Sequence, residues 1–94
     1  GKQRIVEQLR GWSPLLSERF TVRRIGVFGS VATGTDAADS DIDVLSELEK
    51  PSFEHYMDLK LFLEDQFQRP VDVVLHDTIK PRIRPRIERE VVYA

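Results

Sequence analysis

Two aspartates one residue apart, in Ser40-Asp41-Ile42-Asp43-Val44, follow the dipeptide Gly29-Ser30 by ten residues. In an extended segment successive side chains point to opposite faces, so Asp41 and Asp43 project together while Ile42 and Val44 turn to the core. Adjacent carboxylates raise one another's pKa unless a counter-charge is present, and hard divalent ions with oxygen ligands are the usual solution. Glycine lets a backbone approach a phosphate closely, and Ser30 at a helix start offers a hydroxyl and amide donors to an anion. The combination implies Mg²⁺-assisted chemistry on a nucleotide.

A third acid, Asp72, interrupts the apolar run Val71-Asp72-Val73-Val74-Leu75. A charge there is costly to bury unless it is paired or coordinated. With its strand beside that of Asp41 and Asp43, all three acids converge at one edge of a sheet. Three carboxylates can bind two divalent ions about 3.5–4 Å apart, the arrangement that serves phosphoryl and nucleotidyl transfer. The structural alternative is an ion pair between Asp72 and Arg69 or Arg24. A calcium loop starting at Asp39 is excluded, because Val44 stands where its turn needs Gly and Lys50 where it needs a bidentate Glu.

The elements that must position these residues follow from periodicity. Ile5, Val6 and Leu9 recur at helical spacing before the break Gly11-Trp12-Ser13-Pro14, where Ser13 as N-cap and Pro14 at the first helical position start a second short helix. Val22 to Phe28 reads as a strand ending in buried residues and delivering the chain to Gly29. Ser30 to Thr33 is a short helical turn, Gly34 to Asp39 a polar loop, and about Asp41 to Leu48 a second strand. Pro51 and Ser52 open a helix to about Phe67, with Phe53, Tyr56, Leu59, Leu63 and Phe67 along one side. Met57, Leu61 and Phe62 lie outside that stripe, to pack on the N-terminal helices or to face a partner. Val71 to Leu75 is a third strand. Pro81 and Pro85 forbid an unbroken helix through Ile79, Ile83 and Ile87, so a turn and a short helix from about Pro85 to Val91 are expected. The whole is an α/β layer fold: a small sheet carrying the acids, covered by helices on one side.

Ninety-four residues are expected to form a single domain, 1–94, with one site. The chain is 40% hydrophobic and 32% charged, as in a folded soluble protein. Its net charge of −2 argues against direct nucleic-acid binding. No cysteine is present, which excludes disulfides and thiolate metal sites and suits a reducing cytoplasm. No apolar run approaches the roughly 18 residues of a membrane span. Lys80, Arg82, Arg84, Arg86 and Arg89 crowd the C-terminal segment and read as a solvated helix face. His55 and His76 read as surface residues, and Trp12 as packing.

Gly29-Ser30-Val31-Ala32-Thr33-Gly34 through Ser40-Asp41-Ile42-Asp43-Val44 resembles the signature of the DNA polymerase β-like nucleotidyltransferases, and more narrowly the minimal, MntA-like group. The resemblance runs from Val22–Phe28 to Arg69–Val74 and the closing Glu90–Ala94. It implies a polymerase β-like core with a small mixed sheet, using ATP or another nucleoside triphosphate with Mg²⁺. Asp41 and Asp43 would hold both ions, Asp72 would complete the ion nearer the acceptor hydroxyl and help to activate it, and Gly29 and Ser30 would grip the triphosphate. Members of the group usually carry Arg where this chain has Thr33, and Thr cannot reproduce bidentate guanidinium geometry. The resemblance also implies an antitoxin that transfers AMP to a tyrosine of a HEPN-type toxin partner. The alternatives are a non-catalytic partner-binding module with a degenerate nucleotide site, and transfer to a small molecule, for which the chain lacks the usual added domain.

Overall fold

The computed structural model describes residues 1–94. Two helices open the chain, α1 (Lys2–Gly11) and α2 (Ser13–Phe20), and the break between them falls at Trp12. Ser13 is the first residue of α2 rather than its cap. Trp12 holds the N-cap position and its carbonyl accepts from the Leu16 amide at 2.8 Å. The tryptophan ring is needed inside, where it packs edge-on against Phe62 and tilted against Phe67, so the backbone breaks one residue early.

Strand β1 (Val22–Phe28) leads into α3 (Gly29–Thr33), and β2 (Ile42–Leu48) returns antiparallel to it. The exposed pair Arg23 and Arg24 breaks the alternation of β1 because the register shifts between Val22 and Arg24, a bulge that lets two successive residues face solvent. Helix α4 (Phe53–Phe67) is capped by Ser52, whose hydroxyl accepts from the His55 amide at 3.1 Å. It forms the crossover to β3 (Val71–Leu75), which runs parallel to β2. A 3₁₀ turn (His76–Thr78) and α5 (Arg84–Glu90) precede a two-residue strand, β4 (Val92–Tyr93), that the sequence pattern did not reveal. The sheet is mixed, in the order β3-β2-β1-β4.

Both faces are covered, not one. Ile42 and Val44 of β2, with Val71 and Val73 of β3, face the large core built on α1, α2 and α4. Leu45, one residue out of step with Val44, faces the opposite side, where Ile79 and Ile87 close a smaller core with Phe28, Val74 and Tyr93. Of the stripe expected on α4 only Leu59 and Leu63 are fully buried, and Phe53 is 75% exposed. Phe62 turns inward to meet Phe20 and Trp12. No helix is long and apolar enough to cross a membrane.

Candidate active site

Asp43 is the register partner of Phe28 on one side and of Asp72 on the other. The three side chains therefore stand in a row across β1, β2 and β3, on the face of the smaller core. Asp41 precedes β2 by one residue instead of beginning it, and is exposed. Asp72 is exposed as well, which corrects the expectation of a buried charge. Its strand is the edge of the sheet, which leaves the residue open to solvent.

Neither candidate arginine pairs with Asp72. Arg24 meets Glu47 at 3.6 Å and lies over the Tyr93 ring. Arg69 is used elsewhere: its guanidinium donates to the Ser40 carbonyl at 2.9 and 3.1 Å, to the Ala37 carbonyl at 3.0 Å and to Asp36 at 3.2 Å. With the Ile42 amide donating to the Pro70 carbonyl, these bonds fasten the end of loop 34–41 and so locate Asp41. The start of β3 is fastened by α4, since the Val71 amide donates to Glu64 at 2.9 Å and its carbonyl accepts from Lys60. The two clamps set Asp41, Asp43 and Asp72 at one end of the sheet.

None of the three aspartates has a cationic partner within the chain. Burial raises the Asp43 pKa above the ordinary aspartate value, and the carboxylates of Asp72, Asp41 and Glu90 raise it further. Like charges held this way favour a hard cation between them. The donor set, carboxylate oxygens alone, fits Mg²⁺ by chemistry. As the side chains stand, no three of them are close enough to ligate one ion.

Gly29 sits at φ +66°, and a Cβ there would run into the Asp43 carboxylate. The left-handed turn and the absent side chain bring the α3 backbone against the acid. The Gly29 amide is not free: it donates to Glu90 at 3.2 Å, and the other oxygen of Glu90 takes the Arg86 Nε–H at 3.1 Å. Ser30 is half-buried beside it. Thr33 turns its hydroxyl onto the Gly29 carbonyl at 3.1 Å, closing its own helix rather than reaching out. Arg69, Arg86 and Glu90 were not identified as site-forming residues from sequence. The i, i+4 spacing of Arg86 and Glu90 was the only local signal for two of them.

A mixed sheet bearing paired acids on neighbouring strands, against a glycine turn, is the architecture of a nucleotidyltransferase. Residues 9–94 match the nucleotidyltransferase domain family, and the chain belongs to it. It is similar to protein adenylyltransferase MntA of Thermococcus cleftensis, 43% identical over 79 residues, which span 83% of this chain and 80% of that protein. A solved structure assigned as a minimal nucleotidyltransferase matches at 34% identity with a TM-score of 0.74, covering 93% of both chains. The fold alone is shared, at 17% identity and a TM-score of 0.61, with a chain from the complex of tri-AMPylated Shewanella oneidensis HEPN toxin with MNT antitoxin. That match covers 98% of this chain and 66% of the other.

Proposed function

We propose that the chain is a Mg²⁺-dependent protein adenylyltransferase that moves AMP from ATP to a tyrosine of a HEPN-type toxin and thereby serves as its antitoxin. The observation that carries this reading is the direct register pairing of Asp43 with Asp72, with Asp41 nearby and no cation in the chain to balance them. Asp41 and Asp43 would hold two Mg²⁺ ions, with Asp72 on the ion nearer the acceptor. The bound metal would neutralise charge on the phosphates and lower the pKa of the acceptor hydroxyl.

The acceptor oxygen attacks the α-phosphorus, the bond from that phosphorus to the bridging oxygen breaks, and pyrophosphate leaves. Asp72, exposed at the sheet edge, is open to the acceptor and receives or relays the hydroxyl proton. Gly29 and Ser30 bind the triphosphate, for which the Gly29 amide must exchange its Glu90 partner for a phosphate oxygen. Positioning and charge neutralisation supply most of the rate. The likeness to the adenylyltransferase MntA and to a HEPN toxin–MNT antitoxin complex supports the choice of acceptor.

The test is label transfer to a purified HEPN toxin from α-labelled and γ-labelled ATP with Mg²⁺, using Asp41→Ala/Asp43→Ala as control. Transfer of the α label alone, lost in the control, is expected. A folded protein that neutralises the toxin without transfer would instead be a binding module, the reading that Thr33 and the occupied Gly29 amide favour.

A further inference from the structure

The outer side of α4 carries a row of apolar residues that the core does not use. Phe53, Met57 and Leu61 stand at i, i+4 and i+8. Of the three large hydrophobic side chains left exposed in the chain, two are in this row, Phe53 at 75% and Leu61 at 55%. Met57 between them is half-buried. Single exposed hydrophobes are ordinary, whereas a row of them along one helix marks a contact surface. Its surroundings are acidic. Glu54, Asp58 and Asp65 are exposed within a turn of the row and none forms an ion pair. Lys60, the only lysine or arginine of the helix, is spent on Glu64 and on the Val71 carbonyl. Asp58 and Asp65, two turns apart, line an open trough of about 530 Å³ together with Leu61, Phe62, Gln66 and Arg19. The Arg19 guanidinium lies over the Phe20 and Phe62 rings and pairs with neither aspartate.

We propose that this face of α4 is the docking surface for a basic amphipathic helix of the protein acceptor. The proposal rests on the adenylyltransferase reading and adds to it the surface by which the acceptor is recognised apart from its tyrosine. An apolar row edged by unpaired carboxylates fits an apolar helix face edged by Lys and Arg. The aliphatic stems of those residues lie on Leu61 and Phe62 while their charged ends reach Asp58 and Asp65. Charge argues against the other occupants. With four acids against one lysine on α4, two copies meeting through this helix across a twofold axis would oppose like charges, and a nucleic acid or an anionic lipid surface would be repelled. Position favours the acceptor. Helix α4 covers the larger core, on the opposite face of the sheet from Asp43 and Asp72, so a partner seated on it leaves the acids open. The helix ends at Phe67, five residues before Asp72, so a partner helix laid along it leads to the end of the sheet that carries the acids.

Leu61→Gln and the pair Asp58→Asn/Asp65→Asn are the test. All three positions are exposed on the helix surface and the replacements keep its propensity. An unchanged thermal midpoint verifies this. Binding to a purified HEPN-type toxin is measured by calorimetry at low salt and at about 1 M, where the screening length falls to about 3 Å. ATP binding with Mg²⁺ and the KM and kcat of AMP transfer are measured beside it. Covering the exposed half of a leucine corresponds to roughly a five- to tenfold change in Kd, so Leu61→Gln is expected to weaken toxin binding by that factor at both salt levels. The paired variant is expected to weaken it roughly three- to fivefold at low salt and to match wild type at high salt. KM for the toxin rises in step, with kcat and ATP affinity unchanged. An unchanged toxin Kd in both variants, or a toxin that does not bind wild type, would overturn the proposal. A wild-type dimer that Leu61→Gln dissolves, with toxin affinity unchanged, would overturn it in favour of a second copy. Toxin binding weakened as expected, with no AMP transferred by wild type, would sink the transferase reading and uphold the docking surface.

Discussion

Two glycines with the same backbone sign but different surroundings separate conformational strain from site geometry. Gly29 and Gly34 flank α3 at φ +66° and +79°, so an alanine at either is forced into the left-handed region. That strain costs roughly 1–2 kcal/mol, and the lower entropy of an unfolded alanine chain returns about 0.4–1 kcal/mol, leaving a net loss of about 1 kcal/mol. At Gly34 nothing lies within 4 Å of the added Cβ, so Gly34→Ala stops there. At Gly29 the new methyl meets the Asp43 carboxylate, which must rotate away. A side chain driven off its rotamer adds about 0.5–1.5 kcal/mol, so Gly29→Ala should lose about 2 kcal/mol in all. Urea unfolding gives both numbers, and AMP transfer gives the functional contrast. Gly34→Ala keeps its turnover, while Gly29→Ala loses at least tenfold because the displaced acid is central to the row. Equal losses of stability and activity in the two variants would refute the claim that the Gly29 contact locates Asp43.

Other expectations follow from the same geometry. Asp43 should titrate above the ordinary aspartate range by carboxyl NMR, and Asp72→Asn should lower it more than Glu90→Gln, since Asp72 is the larger electrostatic contributor. Because its folded pKa is raised, the stability Asp43 contributes is full below its unfolded pKa and is lost as pH rises through the folded one. Asp43→Asn should therefore be more stable than wild type at neutral pH in metal-free buffer, with the gap closing in acid. Gly26→Ala would set a Cβ 2.6 Å from the Val92 carbonyl and 2.9 Å from the Tyr93 Cα. Overpacking of this kind costs about 1–3 kcal/mol, and faster hydrogen exchange at Ala94, whose amide donates to Ile25, would report the loosening of β4. Arg69→Met removes the clamp on Ser40 and leaves Asp36 without its partner. A loss of about 2–3 kcal/mol is expected, with activity falling further than stability explains because Asp41 is no longer located.

The strands bearing the acids were legible because alternation over Ile42–Val44 and Val71–Val73 is a local signal, and the Ser52 cap was legible for the same reason. The exposure of Asp72 was not, since an acid in an apolar run is open or shut according to whether its strand is at the edge, and strand order is a property of the whole sheet. The Arg69 clamp reaches residues about thirty positions away, beyond any periodicity. Strand β4 is two residues long and exists because Gly26 lets it come close, a contact between distant segments. Glu90 was hidden by a still longer separation: its partner in helix α3 lies sixty-one residues earlier. Local chemistry could suggest which acids matter, and only tertiary structure could say what holds them.

The parallel pairing of β2 with β3 makes α4 a ruler. Asp43 lies opposite Asp72 because the stretch between Leu48 and Val71, fastened by the Ser52 cap and by Lys60 and Glu64, has one length. One residue more or fewer would slip β3 by a position and turn Asp72 toward the larger core. Loop 34–41 is held at both ends, by the Gly34 and Thr35 amides donating to the Val31 and Ser30 carbonyls and by Arg69 on Asp36, Ala37 and Ser40. Insertions and deletions compatible with catalysis should therefore be absent from the crossover.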